Sequence, residues 1–313
     1  MAAEPDQSTH DGAAVSGTVA ADASRDRIPA RPAWRAELSD EVSVYEPYRF
    51  GLPPLRRYLR DAWRRRDFAT ELSRTSLHAQ HFDTAFGQLW LLLNPLLLAL
   101  IYFLLVDLLR AGQQGSGYFA HLMAGLFAFQ LVGGAVTQAA KSVVAGQRLI
   151  LNTAFPRTLL PLSSVITAIK RFLPSVLIYA PVHIAAGLPV GPALLWLVPV
   201  AVLLALFACG AALLAAAAQV YVRDLSSFLP YLLRLWLYGS PVLYYFSDLS
   251  QRSKAILAIN PLTPLLASLS DILQNGAAPS VAVMALGVAW TAVTFLGGTL
   301  FFISRERDFA VRL

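Results

Sequence analysis

The sequence predicts an all-α integral membrane protein with six transmembrane helices and both termini in the cytoplasm. Three observations carry that expectation. Of 313 residues, 56% are hydrophobic and only 14% charged, whereas a soluble domain carries about a quarter charged residues. The apolar residues also fall in runs long enough to cross ~30 Å of hydrocarbon at ~1.5 Å per residue. Finally, residues 1–88 hold 12 Arg against 13 Asp or Glu, while the rest of the chain holds 13 basic and 6 acidic residues, mostly at the ends of apolar runs. That is the charge pattern of basic cytoplasmic loops. The net charge of +6 therefore reflects membrane topology, and a nucleic-acid partner is not expected.

Residues 1–48 are rich in Ala, Asp, Ser, Pro and Thr without apolar periodicity, which predicts a disordered cytoplasmic tail. It lacks the basic, apolar, small-residue layout of a signal peptide. Residues 49–83 form the next region. From Leu55 to Leu72 apolar residues recur at helical spacing up to Trp63, and Arg56, Arg57, Arg60, Arg64, Arg65 and Arg66 take the intervening positions. A basic amphipathic helix of this kind lies flat on a membrane, its arginines at anionic headgroups and Leu59 and Trp63 in the acyl boundary.

The membrane domain, 84–313, follows. Spans are expected at 84–106, 118–140, 161–187, 193–221, 227–246 and 280–303. The stretch "AILAINPLTPLLASLSDILQN", 255–275, is apolar but broken by two prolines. It predicts one or two short helices re-entering from the outer face, which are tolerated where protein or water covers the backbone. Basic residues at 49–74, 141–157, 223 and 305–312 mark the inner loops, against Arg110, Arg252 and Lys254 outside.

Several chemistries lack their residues. There is no G-x-x-x-x-G-K-[ST] phosphate loop and no G-x-S-x-G nucleophile turn, so ATP hydrolysis and serine chemistry are not expected on this chain. No catalytic residue, metal site or cofactor is assigned to it. His78 and His81 sit at i, i+3, but two imidazoles alone do not make a metal site. The single cysteine, Cys209, lies in an Ala/Leu run and reads as a small buried apolar residue.

Charges inside spans carry two readings each. Lys170 and Arg171 lie in the third span and Arg234 in the fifth. Either they snorkel to the interface, or they line a path for an anionic group such as a pyrophosphate. Tyr238, Tyr244, Tyr245 and Phe246 at the end of the fifth span read either as an interfacial aromatic belt or as rings that stack on the C–H faces of sugars in a channel.

A family resemblance then enters through motifs in order. "RRRDF" (Arg64–Phe68) followed by "FGQLWLLLNPLL" carries Arg66, Asp67, Phe68, Gly87, Leu89, Trp90 and Pro95. After it come "NTAFPRTLLPLSSV" from Asn152, "YVRDL" from Tyr221, "GSPVLYY" from Gly239, "INPLTPLL" from Ile259 and the tail "FFISRERDFAVRL". Together they resemble the permease subunits of type-2 ABC exporters of polysaccharides, including O-antigen, teichoic acid and galactan exporters. The spacer before Gly87 is longer than usual in that family, and Val311 stands where an acidic residue is common.

The resemblance implies a homodimer in the bacterial inner membrane, joined to two copies of a cytoplasmic P-loop ATPase that binds ATP and Mg. It implies that Asn152, Phe155, Pro156, Arg157 and Leu159 contain the coupling helix that docks on the ATPase. It also implies that the amphipathic helix is a gate, with Arg60, Trp63, Arg64, Arg65 and Arg66 receiving the pyrophosphate of a lipid-linked glycan. The Arg-heavy composition points towards a cell-wall galactan. Competing expectations are a permease for small drugs or lipids and a membrane-embedded glycan or acyl transferase. The latter requires clustered acids, whereas Asp107, Asp224, Asp248 and Asp271 are scattered.

Overall fold

Helix α4 (Ser116–Ala145) is the axis of the molecule. Ala120, Ala128, Ala135, Ala139 and Ala140 are buried against its neighbours, and 83% of its apolar stretch is buried, against 17% for the last long helix. The computed structural model describes residues 54–81, 89–109 and 116–312. The expected tail 1–48, the opening of the first span with Gly87, Arg110 with the turn 111–115, and the His81 side chain lie outside the described residues. Among those residues there is no strand.

In chain order the helices are α1 (Leu55–Arg64), α2 (Arg66–His81), α3 (Trp90–Leu109), α4, α5 (Gln147–Asn152), α6 (Leu159–Ala185), α7 (Leu197–Tyr221), α8 (Leu225–Tyr238), α9 (Gln251–Leu257), α10 (Thr263–Asn275), α11 (Val281–Arg305) and α12 (Phe309–Arg312). α6 and α7 pack on α4, and α11 packs on α7. Four helical stretches are long and apolar enough to cross a membrane: Gly117–Ala145, Leu159–Ala185, Pro192–Tyr221 and Val281–Arg312. They coincide with the second, third, fourth and last expected spans. The first appears as the shorter apolar stretch Leu93–Leu108.

The fifth span differs from expectation. A helix was expected over 227–246, but α8 stops at Tyr238 after 14 residues, about 21 Å at ~1.5 Å per residue. Gly239 and Pro241 sit where the ladder ends, and an asparagine fixes the chain there. Asn260 Nδ2 donates to the Gly239 carbonyl at 2.8 Å and to Ser240 Oγ at 2.9 Å. Its Oδ1 accepts from Trp236 Nε1 at 2.8 Å and from the Leu262 amide at 3.1 Å. One side chain thus joins the end of α8 to the turn between α9 and α10. Asn260→Leu would leave four polar groups without that partner, each costing about 1–3 kcal/mol where buried. Loss of about 3 kcal/mol is the expected result, read as a drop in thermal midpoint in detergent. A midpoint unchanged from wild type would refute the clasp.

The basic amphipathic segment is two helices rather than one. Arg65 leaves the helical region with φ −102° and ψ 17°. Beyond it, α2 docks on α6 through small residues: Ala69 and Ser73 are fully buried, and Thr167 Oγ1 donates to Ser73 Oγ at 3.0 Å. No residue of α1 is buried. Leu55, Leu59 and Trp63, at i, i+4 and i+8, form an exposed apolar stripe beside the arginines.

α7 and α11 cross at glycines. A Cβ added to Gly210 would come closer than 3.0 Å to Thr294 O and Phe295 Cα, and one on Gly298 equally close to Gly210 O. Backbone meets backbone here, which only glycine permits.

Candidate functional site

Four helices each turn one face towards a common cavity of about 700 Å³. α3 contributes Trp90, Asn94, Leu98 and Tyr102, spaced four apart, so the wall it supplies runs ~18 Å at ~1.5 Å per residue. α4 contributes Phe127, Gln130, Gly134 and Gln138, again one helical face. α6 adds Arg171, Phe172 and Ser175, and α8 adds Arg234 and Tyr238. The wall is therefore made of aromatic rings, neutral amides and two guanidinium groups. Among the described residues that line it there is no carboxylate.

The two cations come from different helices. The buried Nε of Arg171 has no hydrogen-bond partner among the described residues. Tyr102 and Tyr238 bridge α3 and α8, their hydroxyls 3.4 Å apart and their rings edge to face at 6.4 Å. Amides present both donors and acceptors, rings present flat apolar faces, and arginines attract an anion. The outward faces of the flanking helices are apolar and exposed, with Leu97, Leu100, Ile101 and Leu104 on α3 and Tyr231 and Leu235 on α8.

Of the expected channel residues, Arg171, Arg234 and Tyr238 reach this cavity. Lys170, next to Arg171 on α6, does not line it. Tyr244, Tyr245 and Phe246 do not line it either. Tyr245 packs on His121 with ring centres 4.3 Å apart and on Tyr118 at 6.0 Å, while Lys254 sits 5.7 Å over the Phe246 ring. Burial raises the Tyr244 and Tyr245 hydroxyls above the ordinary tyrosine range. The sequence reading missed Asn94, Gln130, Gln138 and Tyr102. Their signal was present: three amides inside otherwise apolar runs, two of them eight residues apart on one helix.

A second constellation lies where α1, the turn after α5 and the end of α11 meet. The helix in this region is α5, ending at Asn152, whose Nδ2 donates to the Arg148 carbonyl at 2.8 Å. Phe155, Pro156 and Arg157 are non-helical, and Leu159 opens α6 fully buried. The segment around Phe155 to Leu159, expected to contain the coupling helix, is non-helical up to Thr158. Pro156, which has no amide hydrogen to donate, interrupts the ladder between α5 and α6. Leu149 and Leu151 on α5 are exposed.

Phe155 packs on Phe68 with ring centres 5.3 Å apart. Arg65 donates to the Ala154 carbonyl at 2.7 Å. The Arg157 amide donates to Glu306 Oε1 at 2.6 Å, and its guanidinium to the Glu306 carbonyl oxygen. Tyr58, from α1, reaches the same turn: its hydroxyl lies 3.0 Å from the Thr158 hydroxyl and accepts from the Thr158 amide at 3.4 Å. Burial first, then the nearby charge of Glu306, pushes the Tyr58 hydroxyl far above its ordinary range.

The arginines expected at the gate divide. Arg60 and Arg64 are exposed and make no hydrogen bond or ion pair among the described residues. Arg66 lies 5.0 Å over the exposed Trp63 ring and 3.9 Å from Asp67. Arg65 is committed to the turn. Tyr58 and Glu306 were not singled out from sequence. Glu306 carries a weak signal as the acid that closes the last apolar run.

Residues 70–274 match the family model for ABC-2 type transporters. Three relatives are similar over most of their length, each named O-antigen export system permease protein RfbA. One from Klebsiella pneumoniae is 26% identical over 236 residues, covering 75% of this chain and 91% of that protein. A second from Klebsiella pneumoniae is 27% identical over 211 residues, 67% and 81%. One from Myxococcus xanthus is 28% identical over 260 residues, 81% and 98%. A family match over more than half of the chain, on an all-helical frame with several membrane-length apolar helices, identifies the protein as a multi-pass member of the ABC-2 type transporter family.

Proposed function

We propose that this chain is the transmembrane subunit of an ATP-driven exporter that moves a lipid-linked polysaccharide from the cytoplasmic to the outer face of the bacterial inner membrane. The observation that carries the reading is the cavity between α3, α4, α6 and α8. Its rings suit the C–H faces of sugars, its amides suit hydroxyls, and Arg171 and Arg234 suit an anionic linkage. The names of the relatives support the same substrate class. This chemistry fits O-antigen, teichoic acid and cell-wall galactan alike.

In this reading α3 and α8 complete a six-span arrangement, α9 and α10 re-enter from the outside, and 1–48, 49–83 and 84–313 are tail, gate region and membrane domain. Both termini are cytoplasmic in this reading, supported by basic residues beside the C-terminal segment: Arg157 meets Glu306, and Arg223 donates to the Arg312 carbonyl at 3.3 Å. A second copy covers the exposed faces of α3 and α8 and closes the cavity into a channel. Two copies of a P-loop ATPase, carrying ATP and Mg, meet α5 and the turn through Arg157. The segment Asn152–Leu159 is then the coupling region.

Purification from native membranes in mild detergent, with subunit stoichiometry by mass spectrometry, tests this. One P-loop ATPase per permease is expected, and reproducible isolation without any ATPase would overturn it. The gate is tested separately. Arg60→Ala with Arg64→Ala is expected to lower export about tenfold at normal protein level, the effect of losing one charged hydrogen bond. Unchanged export would reduce these two arginines to surface anchors.

A further inference from the structure

Three segments far apart in sequence converge around one buried carboxylate. Glu306, only 8% exposed, follows the last long helix. Its Oε1 accepts from the Arg157 amide of the turn, and its main-chain oxygen accepts from the Arg157 guanidinium. Thr158 adds a link between the turn and α1, its hydroxyl 3.0 Å from the Tyr58 oxygen.

The tail that carries Glu306 is itself held. Tyr221 of α7 donates to Asp308 at 3.2 Å, and Phe309, fully buried, packs edge to face on Phe302 at 5.2 Å. Apolar contact alone lets helices slide, whereas a buried charge requires its donors at fixed distance and direction. α1 offers no buried residue of its own to hold it. Its attachment to the rest of the protein is therefore polar, through Tyr58 and, just beyond its end, Arg65.

We propose that Glu306 is a positioning residue that ties the end of α11 to the turn 153–158, which Tyr58 and Arg65 tie in turn to helix α1, so that a push on the turn reaches α1 and the last span together. This rests on the exporter reading for the source of the push. It does not rest on the cavity. Neither Glu306 nor Tyr58 touches the transported molecule in this scheme.

The test uses the purified full-length protein with its ATPase partner. Glu306→Gln keeps the shape and removes the charge, and Tyr58→Phe removes one hydroxyl. Hydrogen exchange is read at 54–66 and 153–158, together with ATP hydrolysis and export per ATP. Both variants are expected to speed exchange in both segments about tenfold, as local opening becomes easier, without changing exchange in α4. Hydrolysis should continue while export per ATP falls several-fold. The double variant should exceed either single one, because Glu306 ties the turn to the last span while Tyr58 ties it to α1.

Unchanged exchange at 54–66 in both variants would overturn the linkage. Faster exchange with undiminished export per ATP would overturn the transmission role and leave a structural clasp. Failure of Glu306→Gln to fold leaves Tyr58→Phe to decide. Wild-type protein isolated without an ATPase overturns the exporter reading, and the transmission role with it, while the exchange data still judge the linkage.

Discussion

Replacing Arg171 and Arg234 together by alanine is expected to lower export by about 10–100-fold at normal protein level, because a hydrogen bond to a charged group contributes about 1.5–3 kcal/mol. The two guanidiniums approach one cavity from α6 and α8, and Arg171 has a buried nitrogen with no partner among the described residues. An anion passing the cavity would satisfy it. Arg→Lys at both positions keeps the charge but loses the planar fork, and partial export is expected. Lys170→Ala is the contrast. Its neighbour lines the cavity and it does not, so export should stay within twofold of wild type, well under the 1.4 kcal/mol that a tenfold change represents. Export assayed in membranes with the partner ATPase present decides between them. Equal losses for Lys170→Ala and the double variant would remove the distinction the cavity draws.

Gly210→Leu is expected to part α7 from α11. Side chains that meet the far end of another side chain are accommodated, but here the added carbon meets backbone atoms of Thr294 and Phe295, which cannot turn aside. Overpacking costs about 1–3 kcal/mol and occasionally more, and the upper end is expected for Leu. The thermal midpoint in detergent should fall by about 10 °C at ~2–4 °C per kcal/mol. Gly298→Ala should behave similarly, since its Cβ would strike the Gly210 carbonyl oxygen. Gly297→Ala, one residue away, meets nothing within 4 Å and should leave the midpoint near that of wild type. Equal midpoints for the two alanine variants would refute the close crossing.

Both predictions lie at the boundary between what the chain announces and what packing adds. The long apolar helices were legible because hydropathy is a local sum: the expected 161–187 appears as Leu159–Ala185 and the expected 193–221 as Pro192–Tyr221. The family was legible for a related reason, since its motifs are short strings in a fixed order. The single gate helix was not, because a helical period does not reveal that Arg65 turns back to the Ala154 carbonyl. The full-length fifth span was not either. Its end depends on Asn260, more than twenty residues later.

The candidate site divides in the same way. Arg171, Arg234 and Tyr238 stood out as polar groups in apolar runs, and they meet in the cavity. Tyr244, Tyr245 and Phe246 looked equivalent in sequence, yet the bend after Tyr238 sends them to His121, Tyr118 and Lys254. The amides of Asn94, Gln130 and Gln138 gain meaning only when α3 and α4 face each other.

By itself the sequence determined the membrane class, the helical content and the family, because these follow from composition, run length and local order. The tertiary structure alone decided which charges share a cavity and which are clasped. Thus Glu306, one acid at the end of an apolar run, meets Arg157 across 149 residues of chain, and Tyr58 meets Thr158 across 100. The physical reason is that burial and hydrogen-bond partnership are set by the neighbours that folding brings into contact.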